Sequence, residues 1–176
     1  RNGQKVKLQH IAIPESMASR IFHAAENVVN KYYPHKKAIN DAYAQYYLEM
    51  AEYLEHNPDS ESKRFWADAG KDIKHNVPLE GFEVRANSQD LDLIKTACVI
   101  LILGYSGVRH GEGLSIPRSG YNEKEFHGFS VPYITGFLTK SNQSGLPTEE
   151  SWITHPIVES ALALLFDCTD FARDIY

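Results

Sequence analysis

Cysteine, methionine and tryptophan are all scarce in this sequence, with two of each among 176 residues. Cys98 and Cys168 both sit in apolar runs, where a lone thiol reads as a small core side chain. So few cysteines exclude a disulfide framework. Long hydrophobic runs are missing as well: the densest, Ala97-Cys98-Val99-Ile100-Leu101-Ile102-Leu103, is far too short to cross a bilayer. No signal-peptide pattern is present, and the chain reads as cytoplasmic, with no membrane partner. The eight histidines are scattered, without a His-x-x-x-His or Cys-x-x-Cys pair, so no metal site is expected. A phosphate-cradling Gly-x-x-x-x-Gly-Lys loop and a Gly-x-Ser-x-Gly elbow are also lacking.

Positive charge is in deficit, with 18 Lys and Arg against 23 Asp and Glu and a formal net charge of −5. Non-specific DNA affinity comes from Lys and Arg neutralising phosphates, so a nucleic-acid binder of this composition needs a local basic face. Hydrophobic residues at 43% and charged ones at 23% are globular values. The length suffices for one domain, 1–176, with a real core.

Most of what is there repeats with a helical period. Pro14 suits a first turn, and Met17, Ile21, Ala24 or Ala25, Val28 and Tyr32 recur at helical spacing. That predicts a helix over 14–32, ended at Tyr33-Pro34 because the residue before proline is pushed from the helical region. A second helix is expected over 36–55, with Ile39, Tyr43, Tyr47, Met50 and Leu54 inward. Its tyrosines, Tyr43, Tyr46, Tyr47 and Tyr53, suggest a base-stacking platform. Yet no Lys or Arg lies between Lys37 and Lys63, so core packing is the better reading. A third helix is expected from Ser60 to about Ile73, with Phe65, Trp66, Ala69 and Ile73 inward. Lys5-Val6-Lys7-Leu8 alternates as an edge strand or an extended linker would, and 75–87 reads as a loop.

Ser88 or Asp90 caps the next helix, which carries Leu91, Ile94 and the apolar run. A helix apolar all round belongs at the centre of a domain. Residues 126–139 interleave aromatic and β-branched side chains with Gly128, Pro132 and Gly136. Short irregular strands or a bulged hairpin fit that stretch, because proline cannot donate to a central ladder. A flexible connection over 141–147 follows, 151–154 can return as a strand, and Pro156 opens a last helix with Ile157, Ala161, Leu164 or Leu165, Cys168 and Phe171 on one side. The fold class is therefore mainly α: a helical bundle around a central buried helix, with a small β-hairpin.

The central run breaks at Gly104-Tyr105-Ser106-Gly107 and continues as Val108-Arg109-His110-Gly111-Glu112-Gly113-Leu114-Ser115-Ile116-Pro117. An arginine is thereby presented at a tight turn beside a buried helix, where packing rewards it little. A phosphate is its natural partner, since the planar guanidinium matches two non-bridging oxygens. A short helix starting near Arg109 would aim free N–H groups at the same place. The plainer reading is a surface arginine paired with Glu112 three residues on, worth about 0.2–0.5 kcal/mol. The two are compatible, because a carboxylate can orient the guanidinium that holds an anion.

Ser106-Gly107-Val108-Arg109-x-x-Glu112-x-Leu114-x-Ile116 resembles the first arginine box of the tyrosine recombinase (phage integrase) family, usually Thr-Gly-Leu-Arg-x-x-Glu-Leu-x-x-Leu. The resemblance covers about 88–171 and implies the amino-terminal part of a recombinase catalytic domain. It implies that Arg109 contacts the scissile phosphate, that Glu112 supports it, and that Lys140, which follows a Gly-rich strand-like stretch, is the general acid. It also implies a phosphotyrosine mechanism without metal or nucleotide cofactor, double-stranded DNA as the partner of the longer protein, and self-association on DNA. Departures are clear. None of the histidines is followed three residues later by Arg, so the family's His-x-x-Arg box is missing, and Tyr176 comes too soon after Lys140 to be the nucleophile. The chain begins at Arg1 rather than Met and stops just after an amphipathic helix, so it reads as a piece of a longer protein that does not cleave DNA alone. Off DNA, a monomer or weak dimer is expected. A DNA-binding or architectural protein on the same scaffold without the nucleophile is the second reading, and a helical interaction domain with a chance match is the third.

Overall fold

The computed structural model describes residues 13–59, 61–65, 68, 77–86, 88–138 and 147–175. Expectations for 5–8, for Ser60, Trp66, Ala69 and Ile73, and for Thr139, Lys140 and 141–146 lie outside the described residues. The rest is mainly helical with one small antiparallel sheet: α1 (Glu15–Tyr32), a 3-10 turn (Tyr33–His35), α2 (Lys36–His56), α3 (Ser62–Phe65), α4 (Gln89–Ser106), α5 (His110–Gly113), β1 (Tyr121–Phe126), β2 (Phe129–Leu138), β3 (Thr148–Ile153), α6 (Ile157–Asp167) and α7 (Asp170–Ile175). No helix among the described residues is long and apolar enough to cross a membrane.

Helix α4 is the axis, as its composition requires. It packs against α1 on one side and α6 on another, burying Leu91, Ile94, Ala97, Cys98, Leu101 and Ile102. Burial is not complete, however: Leu93 and Val99 are exposed. Ser88 is the N-cap residue, but its hydroxyl donates to the Glu83 carbonyl instead of accepting from the helix. At the other end Gly107 takes the left-handed conformation, φ 66°, and its N–H closes onto the Leu103 carbonyl at 3.0 Å.

In α1 the expected stripe holds at Ala25 and Tyr32 and partly at Val28, and fails at Met17 and Ile21. Ala25, Val29 and Tyr32 are buried, whereas Met17 and Ile21 are exposed. Phe22, next to Ile21, makes a close approach to α4: a Cβ on Gly104 would stand 2.3 Å from the Phe22 ring, which also packs on Tyr105 with centroids 4.9 Å apart. A side chain at 104 would strike that ring, so the close approach of α1 to α4 depends on the glycine. Pro34 does not eject Tyr33 from the helical region, since Tyr33 keeps φ −52° and ψ −45°. The proline instead occupies the first turn of the 3-10 segment, where its missing N–H costs nothing, and α2 resumes at once.

The tyrosines of α2 are core. Tyr43 and Tyr46 are fully buried, and Tyr43 and Tyr47 both stack on Phe171 of α7. Tyr46 meets Phe65 of α3 edge to face.

The sheet has three strands in the order β1-β2-β3, both pairs antiparallel, rather than a lone hairpin. β1 carries no strand signal in the sequence, since Asn-Glu-Lys-Glu fills it, and five of its six residues are exposed. His127 and Gly128, both at positive φ, form a two-residue turn between the paired Phe126 and Phe129. Pro132 sits inside the central strand after all. Its carbonyl accepts from Thr154 N–H at 3.0 Å, just past the end of β3. In an antiparallel pair both polar groups of a residue face the same neighbour, so the absent N–H falls where that ladder stops. Toward β1 no donor is needed.

Candidate functional site

Three elements converge on the arginine turn. α4 ends at Gly107, Val108 dives into the core, and Arg109 becomes the N-cap of the four-residue α5 at φ −71° and ψ 148°. Val108 and Ile116 are both buried and pin the segment at either end. Leu114, also in the sequence pattern, is not: it is 76% exposed.

Between those anchors lies an unusual pair. The Glu112 side chain is 7% exposed, and the Arg109 side chain that it meets is 75% exposed. Arg109 donates to Glu112 from its backbone N–H at 3.2 Å and from its guanidinium at 3.3 Å. The carboxylate thus caps the first turn of α5 and leans on the arginine from the protein side, leaving the outer edge of the guanidinium in water. The anion at the start of α5 is the helix's own Glu112.

Ser115 ties this turn to the sheet. Its hydroxyl donates to the Glu112 carbonyl at 2.6 Å and accepts from the Phe137 N–H at 2.7 Å. A second tie joins Thr135 N–H to the Gly120 carbonyl at 2.8 Å. Strand β2 is therefore hung on the segment that carries Arg109. Lys140, the remaining sequence candidate, lies outside the described residues; in the sequence it falls between Leu138 and Thr148, which are paired across β2 and β3. The structure brings Arg109 and Glu112 together and gives no position for the lysine.

No protein-family model, curated protein or solved structure matches this chain. The site has to be read on its own geometry.

Other cations near the turn are already engaged. Arg118 pairs with Asp167 and Asp170, Arg173 pairs with Asp170, and Lys36 pairs with Asp167. Burial acts to raise the Asp170 carboxyl, but Arg118 and Arg173 outweigh it and hold the group below its ordinary range. Among the described residues the Arg109 guanidinium has one ion pair, that with Glu112. Nor do the perturbed tyrosines offer a nucleophile: the Tyr105 hydroxyl is pushed up to about 12 by its bond to Glu26, and Tyr43 to about 12 by burial. Among the described residues no group of three or more His, Cys, Asp or Glu side chains could hold a metal ion.

Sequence reasoning missed Ser115 and the aspartates that neutralise Arg118. A Ser three residues after Glu112 carries no pattern of its own. Asp167 and Asp170 meet Arg118 only through the packing of α6 and α7 beside the turn. Behind Arg109 an apolar groove of about 220 Å³ runs between α4, α5 and α6, lined by Val99, Leu103, Leu114, Leu162 and Phe166.

Proposed function

We propose that this chain is the amino-terminal part of a tyrosine recombinase catalytic domain, a partial version of that fold, and that Arg109 holds the scissile phosphate of double-stranded DNA. The observation that carries this reading is the Arg109–Glu112 pair: a buried carboxylate orients an exposed guanidinium whose outer edge meets no protein group among the described residues. Burying a carboxylate is costly unless it is well paired, and a guanidinium so exposed contributes little stability in return. The arrangement suits an anion held by the outer edge. The order of parts agrees: a buried helix, an arginine turn, then a small sheet with Lys140 between its second and third strands in the sequence.

In the chemistry proposed, Arg109 grips two non-bridging oxygens as charge builds on the pentavalent phosphorus. Glu112 fixes the guanidinium plane, and Lys140 protonates the departing 5′-oxygen. The attacking tyrosine and the second arginine come from outside these 176 residues, so the chain alone does not cut DNA and meets it as part of the longer protein. No metal or nucleotide cofactor takes part, and copies gather on DNA. The same reading is of a cytoplasmic protein. A DNA-binding scaffold that never had a nucleophile is the second reading, favoured by the lack of any His-x-x-Arg in the sequence.

The experiment is strand cleavage of a suicide DNA substrate by the protein extended past Tyr176, with binding followed separately by gel shift. Arg109→Lys keeps the charge and loses the bidentate fork, so cleavage should fall about 10²–10³-fold. DNA affinity, spread over many phosphates, should fall far less. Near-normal cleavage by Arg109→Lys removes Arg109 from the site, and DNA binding without cleavage by the extended protein leaves the second reading standing.

A further inference from the structure

A serine hydroxyl has one proton to give and two lone pairs to take with, and Ser115 uses its hydroxyl in both senses. It donates to the Glu112 carbonyl at 2.6 Å and accepts from the Phe137 N–H at 2.7 Å. The Phe137 carbonyl, at 3.2 Å, is the more distant acceptor for the same proton. Hydrogen bonds joined in series polarise one another, so the run from Phe137 through Ser115 to Glu112 is a continuous polar link from strand β2 to helix α5. The Ser115 backbone N–H reaches the same Glu112 carbonyl at 2.9 Å. One residue thus grips the Glu112 backbone twice.

That grip matters because a single helical turn does not hold itself together, and His110, Gly111 and Leu114 are exposed. Glu112 is the buried residue of α5, and its carboxylate accepts from the Arg109 guanidinium at 3.3 Å. The place of the Glu112 backbone therefore decides where the guanidinium fork points. Strand β2 closes on the serine from the other side. Gly136 precedes Phe137, and a Cβ there would stand 3.0 Å from the Ser115 Oγ, 3.2 Å from Ile116 and 3.4 Å from Trp152. The strand lies against Ser115 at a position without a side chain, the usual mark of a close backbone approach.

We propose that Ser115 is a positioning residue of the arginine site: braced on β2, it fixes the Glu112 carbonyl and so aims the Arg109 guanidinium. The part it plays in strand cleavage rests on the reading of Arg109 given above, whereas the aiming of the guanidinium does not. A side chain 75% exposed has few packing contacts to hold its plane, so a carboxylate fixed from behind is what keeps the fork in one orientation. Arg118 and Arg173 supply the contrast. They pair with Asp167 and Asp170, on α6 and α7, so the proposed link does not run through them.

NMR relaxation of the arginine Nε–Hε groups in the 176-residue chain is the first measurement. Ser115→Ala should drop the Arg109 order parameter into the flexible range, below about 0.6, and leave those of Arg118 and Arg173 as they were. Gly136→Ala keeps the hydroxyl but presses on it; it should move Arg109 the same way, and it decides the matter if Ser115→Ala does not fold. A wild-type Arg109 already in that range, an Arg109 unmoved by either variant, or a fall shared equally by the three arginines overturns the proposal, the last because it means general loosening. The second measurement is cleavage at saturating DNA by the protein extended past Tyr176. Ser115→Ala should slow it by up to about 10²-fold, the cost of a misplacement of about 1 Å, with DNA affinity nearly unchanged. In an Arg109→Lys background the same substitution should slow cleavage no further, because the group it aims is gone. Effects that multiply would make Ser115 a structural tie independent of Arg109 and also overturn the positioning role. Near-normal cleavage by Arg109→Lys, or none by the extended wild type, strikes the reading of Arg109 instead, and the relaxation result then decides the aiming on its own.

Discussion

Removing Glu112 and removing Arg109 should have unequal effects on stability, although the two side chains touch. Glu112→Ala takes away the acceptor for the Arg109 backbone N–H at 3.2 Å and leaves a void in a side-chain site only 7% exposed. Losing a capping side chain costs about 0.5–2 kcal/mol, and relief of the buried charge offsets part of the void. A net loss of about 1–2 kcal/mol follows, which for a domain of this size lowers Tm by about 3–6 °C. Arg109→Ala deletes a guanidinium that is 75% exposed, and water takes its place at the carboxylate edge. Its cost should stay below about 1 kcal/mol, as for most solvent-facing pairs. Glu112→Gln keeps an acceptor for the N–H and should fall between wild type and Glu112→Ala. Thermal unfolding of the three variants by circular dichroism measures the order. An Arg109→Ala loss as large as that of Glu112→Ala would make the arginine a structural counter-ion to a sealed carboxylate, and the case for an anion on its outer edge would collapse.

Three further outcomes are expected. Gly104→Ala drives a methyl group into the Phe22 ring and should cost about 1–3 kcal/mol; pairing it with Phe22→Leu should cost less than the sum of the two, read from denaturant midpoints. Asp170 is held below its ordinary range, so its contribution is complete above the unfolded value of about 3.9 and is lost as pH falls through the lower folded value. Asp170→Asn should be less stable than wild type at neutral pH, with the gap closing as both are acidified below about pH 4; a gap that persists into acid would show that the carboxylate charge is not what matters. Burial pushes both thiols up, Cys168 to about 12 and Cys98 further, so Ellman's reagent should find neither in the native protein and both once guanidinium unfolds it.

What could be read ahead of the structure depended on whether a residue's neighbours in sequence were also its neighbours in space. The α4 run, the Gly107 stop and the Arg109–Glu112 contact are all local, and each is where its spacing indicates. In α1 Ala25 and Tyr32 turn inward as expected, but the exposure of Met17 and Ile21 was not legible, because Met17, Ile21, Phe22, Ala25 and Val29 are apolar over a wide arc and Phe22 meets Gly104, eighty-odd residues away. β1 was hidden for the opposite reason: a strand exposed on nearly all its length needs no apolar pattern, and its one sequence signal was the His127-Gly128 turn. Pro132 argued against a central strand only because the place where β3 stops is not written in β2.

Ser115 has a consequence for how this chain tolerates length change. Its single hydroxyl bonds to the Glu112 carbonyl and the Phe137 N–H at once, and Gly120 holds Thr135 within the same stretch. One residue inserted or deleted in β1, β2 or the turn before them would slip the register by one, exchange the faces of the sheet and pull Phe137 off Ser115. Homologous chains should therefore keep the count from Arg109 to Phe137 unchanged and confine their gaps to the stretch after Leu138, so that in any alignment the interval from Arg109 to Lys140 would vary only in its last few positions.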